Sequence, residues 1–140
     1  MARDIIKAAE RLVEKCSKVI VASVDKGGFP NQKAMYNARV RDGIKAFFFT
    51  TNTSSLRVRQ FRDNPKASIY FYEGRFFRGL MLKGTMEILQ DEESRKLIWR
   101  EGDTLYYKEG VNDPDYSVLY FRAEKGRYYE NFKSIDFDVI

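Results

Sequence analysis

Short segments with strand-like hydrophobic patterns dominate the chain. KVIVASV from Lys18 predicts a strand, DKGGFP a glycine-rich turn, and QKAMYNARV from Gln32 the returning strand of a hairpin. Further strands are predicted at 44–51 (IKAFFFTT), 66–72 (KASIYFY) and 76–89 (FFRGLMLKGTMEIL), and residues 117–132 predict another strand or a hairpin. The pattern therefore predicts a mainly β protein with about six strands, mostly antiparallel.

Helical spacing is found in three places. Residues 2–16 carry an apolar stripe, which predicts an amphipathic helix packed on the sheet, and shorter helices are predicted at 54–63 and 91–101. Strands of this length, bent at Gly79 and Gly84, close best into a small barrel, so we predict one domain over residues 1–140. The stripe of the first helix consists of Ile5, Ala9, Leu12, Val13 and Cys16.

The predicted helix at 54–63 has an unusual charge pattern. Thr53 or Ser54 is expected to cap it, but no acidic residue occurs from 50 to 62, and Arg57 stands near its start. The positive end of a helix dipole favours acids there, as in DEESRKLIWRE from Asp91. Two explanations fit: a bound anion such as phosphate completes the helix start, or arginine occupies a solvent-exposed face.

Composition excludes several kinds of site. The 140 residues contain no histidine and one cysteine, which excludes Ser-His-Asp catalysis, HExxH zinc sites, histidine-ligated haem and internal disulfides. No GxGxxG follows a strand and no P-loop motif is present. The formal net charge of +5 suits an anionic ligand or nucleic acid. Because the N-terminal segment is charged and no long apolar run occurs, we expect a cytoplasmic protein with no membrane span.

The order of FFFTTN, TSSLR, VRQFRDNPKASIYF and MLKGTMEIL resembles a known family. These segments resemble the FMN-binding split-barrel family of pyridoxamine 5'-phosphate oxidase, especially its short general-stress-protein-like branch. The resemblance runs from about residue 19 to residue 88, with weaker support from LIWREG and GVNDPDYSVLYF. It implies a six-stranded antiparallel split β-barrel of Greek-key type with peripheral helices, and a homodimer with FMN at the subunit interface.

The resemblance also implies a set of FMN-binding residues. The phosphate is expected at Ser55 and Arg57, and Leu56 departs from the basic residue that the family often has between them. Either one phosphate contact is therefore missing, or Lys33 supplies it. The other expected positions are Thr50 and Thr51 along the flavin, Lys33, Ala34 and Met35 along the ribityl chain and ring, Arg78 near the site, and Trp99 near the flavin of a partner subunit.

Alternatives remain for several of these positions and for the function. Trp99 could be an ordinary core residue, because it follows Leu97 and Ile98 at helical spacing. Lys33 and Met35 could be an ordinary pair of alternating strand residues with no role in binding. The chain ends in ENFKSIDFDVI and lacks the arginine-rich substrate motif of true pyridoxamine 5'-phosphate oxidases. We therefore expect an FMN-dependent oxidoreductase acting on an unidentified small molecule. The alternatives are a flavin-binding protein without turnover and a basic OB-like barrel that binds nucleic acid.

Overall fold

Eight strands and three helices make up the computed structural model, which describes residues 4–140. The mainly β, antiparallel class predicted from the sequence is confirmed. The helices are α1 (Ile5–Lys15), α2 (Leu56–Asp63) and α3 (Glu92–Ile98), and the strands are β1 (Lys18–Val24), β2 (Pro30–Tyr36), β3 (Val40–Asp42), β4 (Ala46–Asn52), β5 (Lys66–Glu73), β6 (Arg78–Leu89), β7 (Tyr116–Glu130) and β8 (Lys133–Asp138).

The strands form one antiparallel sheet in the order β2-β1-β5-β6-β7-β4-β3, with β8 beside β7. The long strand β7 pairs with β4 through its first half and with β8 through its second half. The pairing of β6 with β7 shifts between Lys83 and Gly84, where Glu124 of β7 is the extra residue of a bulge, and Gly84 is one of the two glycines at which a bend or bulge was predicted. A Cβ atom at Gly84 would lie 1.9 Å from the carbonyl oxygen of Arg122, so only glycine fits this close approach.

The core lies inside the curve of the sheet, where alternate strand residues meet. Phe47 is at its centre, with ring centroids 6.1 Å from Phe49, 5.8 Å from Phe71 and 6.1 Å from Phe121. The helix α1 buries Ala8, Ala9, Leu12 and Val13 against the sheet, and α2 adds Val58 and Phe61. None of the helices within residues 4–140 is both long and apolar enough to cross a membrane.

The strand predicted from Gln32 to Val40 is interrupted, and this is one reason why eight strands replace the predicted six. It ends at Tyr36, because the Asn37 side chain turns away to cap α1. Asn37 Nδ2 donates to the carbonyl oxygens of Val13 at 2.9 Å and Cys16 at 2.7 Å. The chain resumes as the short strand β3, which pairs with β4.

The C-terminal segment accounts for the other additional strand. Of the two alternatives for residues 117–132, a single strand is correct: β7 continues through Gly126 to Glu130. The ring of Phe137 packs at Gly126, where a Cβ atom would lie 2.3 Å away, so glycine allows close packing and does not mark a turn. The turn follows at Asn131 and Phe132, which have φ of 51° and 64°, and β8 returns along β7.

The bounds of all three predicted helices also change, and the helix predicted at 54–63 begins at Leu56. The helix predicted at 91–101 ends at Ile98, because Trp99 takes extended backbone angles, and two short 3-10 turns follow. The helix predicted at 2–16 runs from Ile5 to Lys15, and residues 2 and 3 lie outside the described part of the chain. Cys16, which the sequence places on the apolar stripe of this helix, is half-buried and lies just after its last residue.

Candidate functional site

A cleft of about 440 Å³ lies at the split of the sheet, between the edge strand β2 and the start of α2. Strand β4 contributes to its wall, and the segment after α3 contributes to its rim. Four of the sequence-predicted site residues therefore come together here, although they belong to three different elements. The lining residues are Ser17, Ala34, Met35, Tyr36, Asn37, Arg39, Thr50, Arg57 and Arg100.

The start of α2 differs from the sequence prediction. Its N-cap is Ser55, and the side chain of Ser55 makes no capping hydrogen bond. The prediction of Thr53 or Ser54 as the cap is wrong, because the Thr53 hydroxyl instead shares a 2.5 Å hydrogen bond with Ser117. The helix therefore begins with its hydroxyl cap unused.

Three buried polar atoms near this helix start have no hydrogen-bond partner among residues 4–140. They are Thr51 Oγ1, at the end of β4, and Ser55 Oγ and Arg57 Nε, at the start of α2. Buried polar groups in proteins are normally satisfied, so these atoms are candidates for ligand contacts. Of the three residues, Arg57 lines the cleft, whereas Thr51 faces the core, on the opposite side of β4 from Thr50. The Ser55 hydroxyl and the Arg57 guanidinium beside a helix N-terminus suit a phosphate group. The residues present thus fit the phosphate end of FMN.

Arg57 carries an uncompensated charge at this place. It forms no ion pair with any described residue, and it is only half-exposed. Burial lowers the pKa of its guanidinium, and Tyr107 nearby opposes that effect weakly. A half-buried cation without a counter-ion is costly unless an anion binds to it.

Asp115 holds the loop in front of α2. Its carboxylate accepts hydrogen bonds from Asn52 Nδ2 at 2.9 Å and from the Ser54 N–H at 2.8 Å, and its carbonyl accepts one from the Thr53 N–H at 2.7 Å. The hydrogen bond from Asn52 is the main cause that lowers the pKa of Asp115. Sequence reasoning missed this residue because it lies 61 positions beyond Ser54, in an irregular segment. It supplies one acid near the helix start that the local sequence lacks.

The strand residues predicted from the resemblance divide between two adjoining cavities. Ala34, Met35 and Thr50 line the main cleft. Lys33 lines a smaller cavity of about 140 Å³ with the exposed Leu56. Arg57 borders both cavities, so Lys33 lies on the same side of the helix start as the candidate phosphate site.

Trp99 and Arg78 lie apart from this cleft within one chain. The centroid of the Trp99 ring lies 5.2 Å from that of Tyr116, and Trp99 packs against a second apolar cluster. This agrees with the alternative that Trp99 is a core residue. Arg78 forms ion pairs with Glu130 at 2.8 Å and with Glu73 at 3.6 Å, and it lines a separate hollow with Tyr70 and Tyr72.

An ion pair between Arg39 and Asp103, which the sequence did not predict, stabilises the rim of the cleft. Arg39 donates to both carboxylate oxygens of the buried Asp103 and, at 2.9 Å, to the carbonyl of Ile98. The Arg100 N–H also donates to Asp103, at 2.9 Å. Burial alone would raise the pKa of Asp103, but these hydrogen bonds outweigh it and hold the pKa below its ordinary value. The pair joins the segment after α3 to the link between β2 and β3.

Comparison with known proteins identifies the family of the chain. The family model described as pyridoxamine 5'-phosphate oxidase matches residues 5–130. A pyridoxine/pyridoxamine 5'-phosphate oxidase from Agrobacterium fabrum is 33% identical over 76 residues, which cover 54% of this chain and 36% of that protein. The chain thus spans about a third of the length of the curated relatives that it matches.

Solved structures match over the whole chain. A Clostridium acetobutylicum protein related to general stress protein 26 of B. subtilis, of the pyridoxinephosphate oxidase family, is 40% identical. The match covers 99% of this chain and 97% of that one, with a TM-score of 0.88. Two structures at 14% identity share the fold alone. One is an FMN-binding protein from Nostoc punctiforme, with a TM-score of 0.73 over 100% of this chain and 98% of that chain. The other is a heme binding protein from Mycobacterium smegmatis, with a TM-score of 0.78 over 99% of this chain and 59% of that chain.

The family model covers most of the chain, and the Clostridium structure agrees with it from end to end. The chain belongs to the pyridoxamine 5'-phosphate oxidase family and is similar to its general-stress-protein-like members.

Proposed function

We propose that this chain is an FMN-binding flavoprotein that carries out redox chemistry on a small molecule. The observation that carries the proposal is the pair of unpartnered buried polar atoms at the start of α2, Ser55 Oγ and Arg57 Nε. They offer a hydroxyl donor and a cation without an ion pair among the described residues, at a helix N-terminus where a phosphate monoester binds well. The family membership and the FMN-binding relative support flavin as the group that carries this phosphate.

The proposed arrangement assigns each part of the cleft a separate task. Ser55 and Arg57 bind the phosphate, and Lys33 in the adjoining cavity supplies the charge that Leu56 does not. Met35 and Thr50 line the larger space, where a planar ring system fits. Bound FMN supplies hydride or electron transfer, while the protein holds and orients it.

The substrate is proposed to differ from pyridoxamine 5'-phosphate. The supporting observation is the similarity, over nearly the full length of both chains, to the Clostridium acetobutylicum protein related to general stress protein 26, which is 40% identical. A flavin-binding protein without turnover is the alternative, since no carboxylate lines the cleft as a proton donor or acceptor.

We also propose a homodimer with FMN at the subunit interface. Exposed aromatic side chains surround a hollow of about 490 Å³ on the outer face of the sheet, and they include Tyr70, Tyr72 and Phe77. Their exposed fractions of 41%, 60% and 75% are high for such rings, and contiguous patches of this kind commonly mark protein interfaces. A second subunit on this face would contact Arg78, which lines the hollow.

Nucleic-acid binding is less well supported. The outer sheet face does combine tyrosines with basic residues, but two of its cations are already neutralised by β8. Lys125 pairs with Asp138 at 2.8 Å, and Arg127 pairs with Asp136 at 2.6 Å. A surface that tracks a phosphate backbone needs its cations free. We propose a cytoplasmic location, which agrees with the single unpaired Cys16.

The proposal is tested by spectra and by ligand titration of the purified protein. We expect a flavin absorption spectrum, tight binding of FMN, much weaker binding of riboflavin because it lacks the phosphate, and no stoichiometric binding of haem. Equal affinity for FMN and riboflavin would refute the phosphate site. Light scattering of the flavin-loaded protein tests the dimer, and a monomer at micromolar concentration would exclude the shared site.

A further inference from the structure

The cleft carries more positive charge than one phosphate site explains. Three of its nine lining residues are arginines, and none is acidic. Three guanidiniums that converge on one opening repel one another unless counter-charges are present. Each of the three has a different environment, which indicates a different role.

Two of these arginines have their charge accounted for. Arg39 is neutralised by Asp103, on which it makes two hydrogen bonds. Arg57, half-buried at the start of α2, is assigned to the FMN phosphate under the function proposed above.

Arg100 is the arginine that remains. Its side chain is exposed at the rim, and its guanidinium forms no ion pair with any residue between 4 and 140. Its backbone is nevertheless fixed, because its N–H donates to Asp103 and Arg39 binds the carbonyl of Ile98 two residues earlier. A guanidinium without an ion pair, although near enough to Asp103 to act on its pKa, thus lines the cleft from an anchored backbone position.

The geometry points to Arg100 as the residue that binds the carboxylate group of a small-molecule substrate, an inference that rests on the proposed FMN-dependent function. A guanidinium matches a carboxylate with two parallel hydrogen bonds. One free cation balances one carboxylate, whereas a phosphate dianion would need further cations or a helix N-terminus, and those are used by the cofactor. Tyr36 lines the same cleft with 76% of its surface exposed, and it offers an aromatic face to the organic part of the substrate.

The test uses the FMN-saturated protein and three probes of similar size: benzoate, phenyl phosphate and benzyl alcohol. Binding of each is measured by calorimetry for wild type, Arg100→Gln, Arg100→Lys and the matched control Arg122→Gln, which removes an exposed arginine outside the cleft. We expect benzoate to bind wild type best of the three. Its affinity should fall about ten- to a hundred-fold in Arg100→Gln and recover partly in Arg100→Lys. It should not change in Arg122→Gln.

The FMN affinity of each variant separates the two proposals. If wild type fails to bind FMN, the proposed function is wrong and this inference falls with it. If FMN binds, the inference alone is overturned by equal benzoate affinity in wild type and Arg100→Gln, by no benzoate binding, or by preference for phenyl phosphate. A large loss of FMN affinity in Arg100→Gln would overturn it as well, because Arg100 would then belong to the cofactor phosphate.

Discussion

Replacing Arg57 with glutamate should cost FMN affinity and leave the apoprotein as stable as wild type. Arg57 is half-buried, forms no ion pair among the described residues, and has an unpartnered Nε. A charge-assisted hydrogen bond contributes about 1.5 to 3 kcal/mol, which corresponds to a roughly ten- to hundred-fold change in affinity. The reversed charge adds repulsion, on the order of 4 kcal/mol at 4 Å in a surface environment before screening by salt. We therefore expect a loss of at least about a hundred-fold.

The apoprotein should respond in the opposite sense. Arg57 stands in the first turn of α2, which contains no acidic residue. Glutamate there interacts favourably with the helix dipole, by about 0.3 to 1 kcal/mol. Urea unfolding of the apoprotein should give an equal or slightly higher free energy of unfolding for Arg57→Glu. A stability loss of several kcal/mol would mean that Arg57 is held by the fold and not for a ligand.

Fluorescence titrations with FMN and riboflavin provide the assay. Riboflavin lacks the phosphate, so it should bind wild type and Arg57→Glu almost equally. Arg59→Glu is the matched control, since Arg59 lies on the same helix but is exposed and lines neither cavity. Unchanged FMN affinity in Arg57→Glu would refute the phosphate site, and so would an equal loss in Arg59→Glu.

Three further results are expected. Asp103→Asn should lower the free energy of unfolding by about 1 to 3 kcal/mol at pH 7, because Arg39 loses its counter-ion. Since the folded pKa of Asp103 is lowered, the carboxylate stabilises the fold above about pH 4, and urea unfolding at pH 7 and pH 3 should show the wild-type advantage shrinking as the pH falls. Gly84→Ala should cost about 2 kcal/mol or more, whereas Gly74→Ala, where a Cβ meets no atom within 4 Å, should change stability by less than about 1 kcal/mol; equal effects would contradict the steric reason. Peroxide release with pyridoxamine 5'-phosphate should stay below about 1 turnover per second, and a higher rate would refute the proposal that the substrate differs from this compound.

The strand pattern of the fold could be predicted because each strand buries one face. Alternate residues such as Phe47 and Phe49 enter the core, and this leaves a period that the sequence shows. The break after Tyr36 could not be predicted. It depends on Asn37 bonding to carbonyls of α1 more than twenty residues earlier, and the local pattern QKAMYNARV contains no sign of that contact.

The candidate site was predictable only where the signal is local. The conflict between Arg57 and the helix dipole is visible within one segment, and the structure places Arg57 in the cleft. The Arg39–Asp103 pair joins residues 64 positions apart, so it follows from tertiary packing alone. Arg100 was missed for the same reason, since its position at the rim is fixed by that pair.

The hydrogen bonds between Asp115 and the loop before α2 should lower the conformational entropy that is lost when a ligand binds. Because Asn52, Thr53 and Ser54 are tied down by the protein itself, little conformational entropy is left to lose when a ligand arrives. The amide hydrogens of Thr53 and Ser54 should accordingly exchange slowly with solvent even in the ligand-free protein. A phosphate would then bind to a preformed site, and the loop would not have to fold around it.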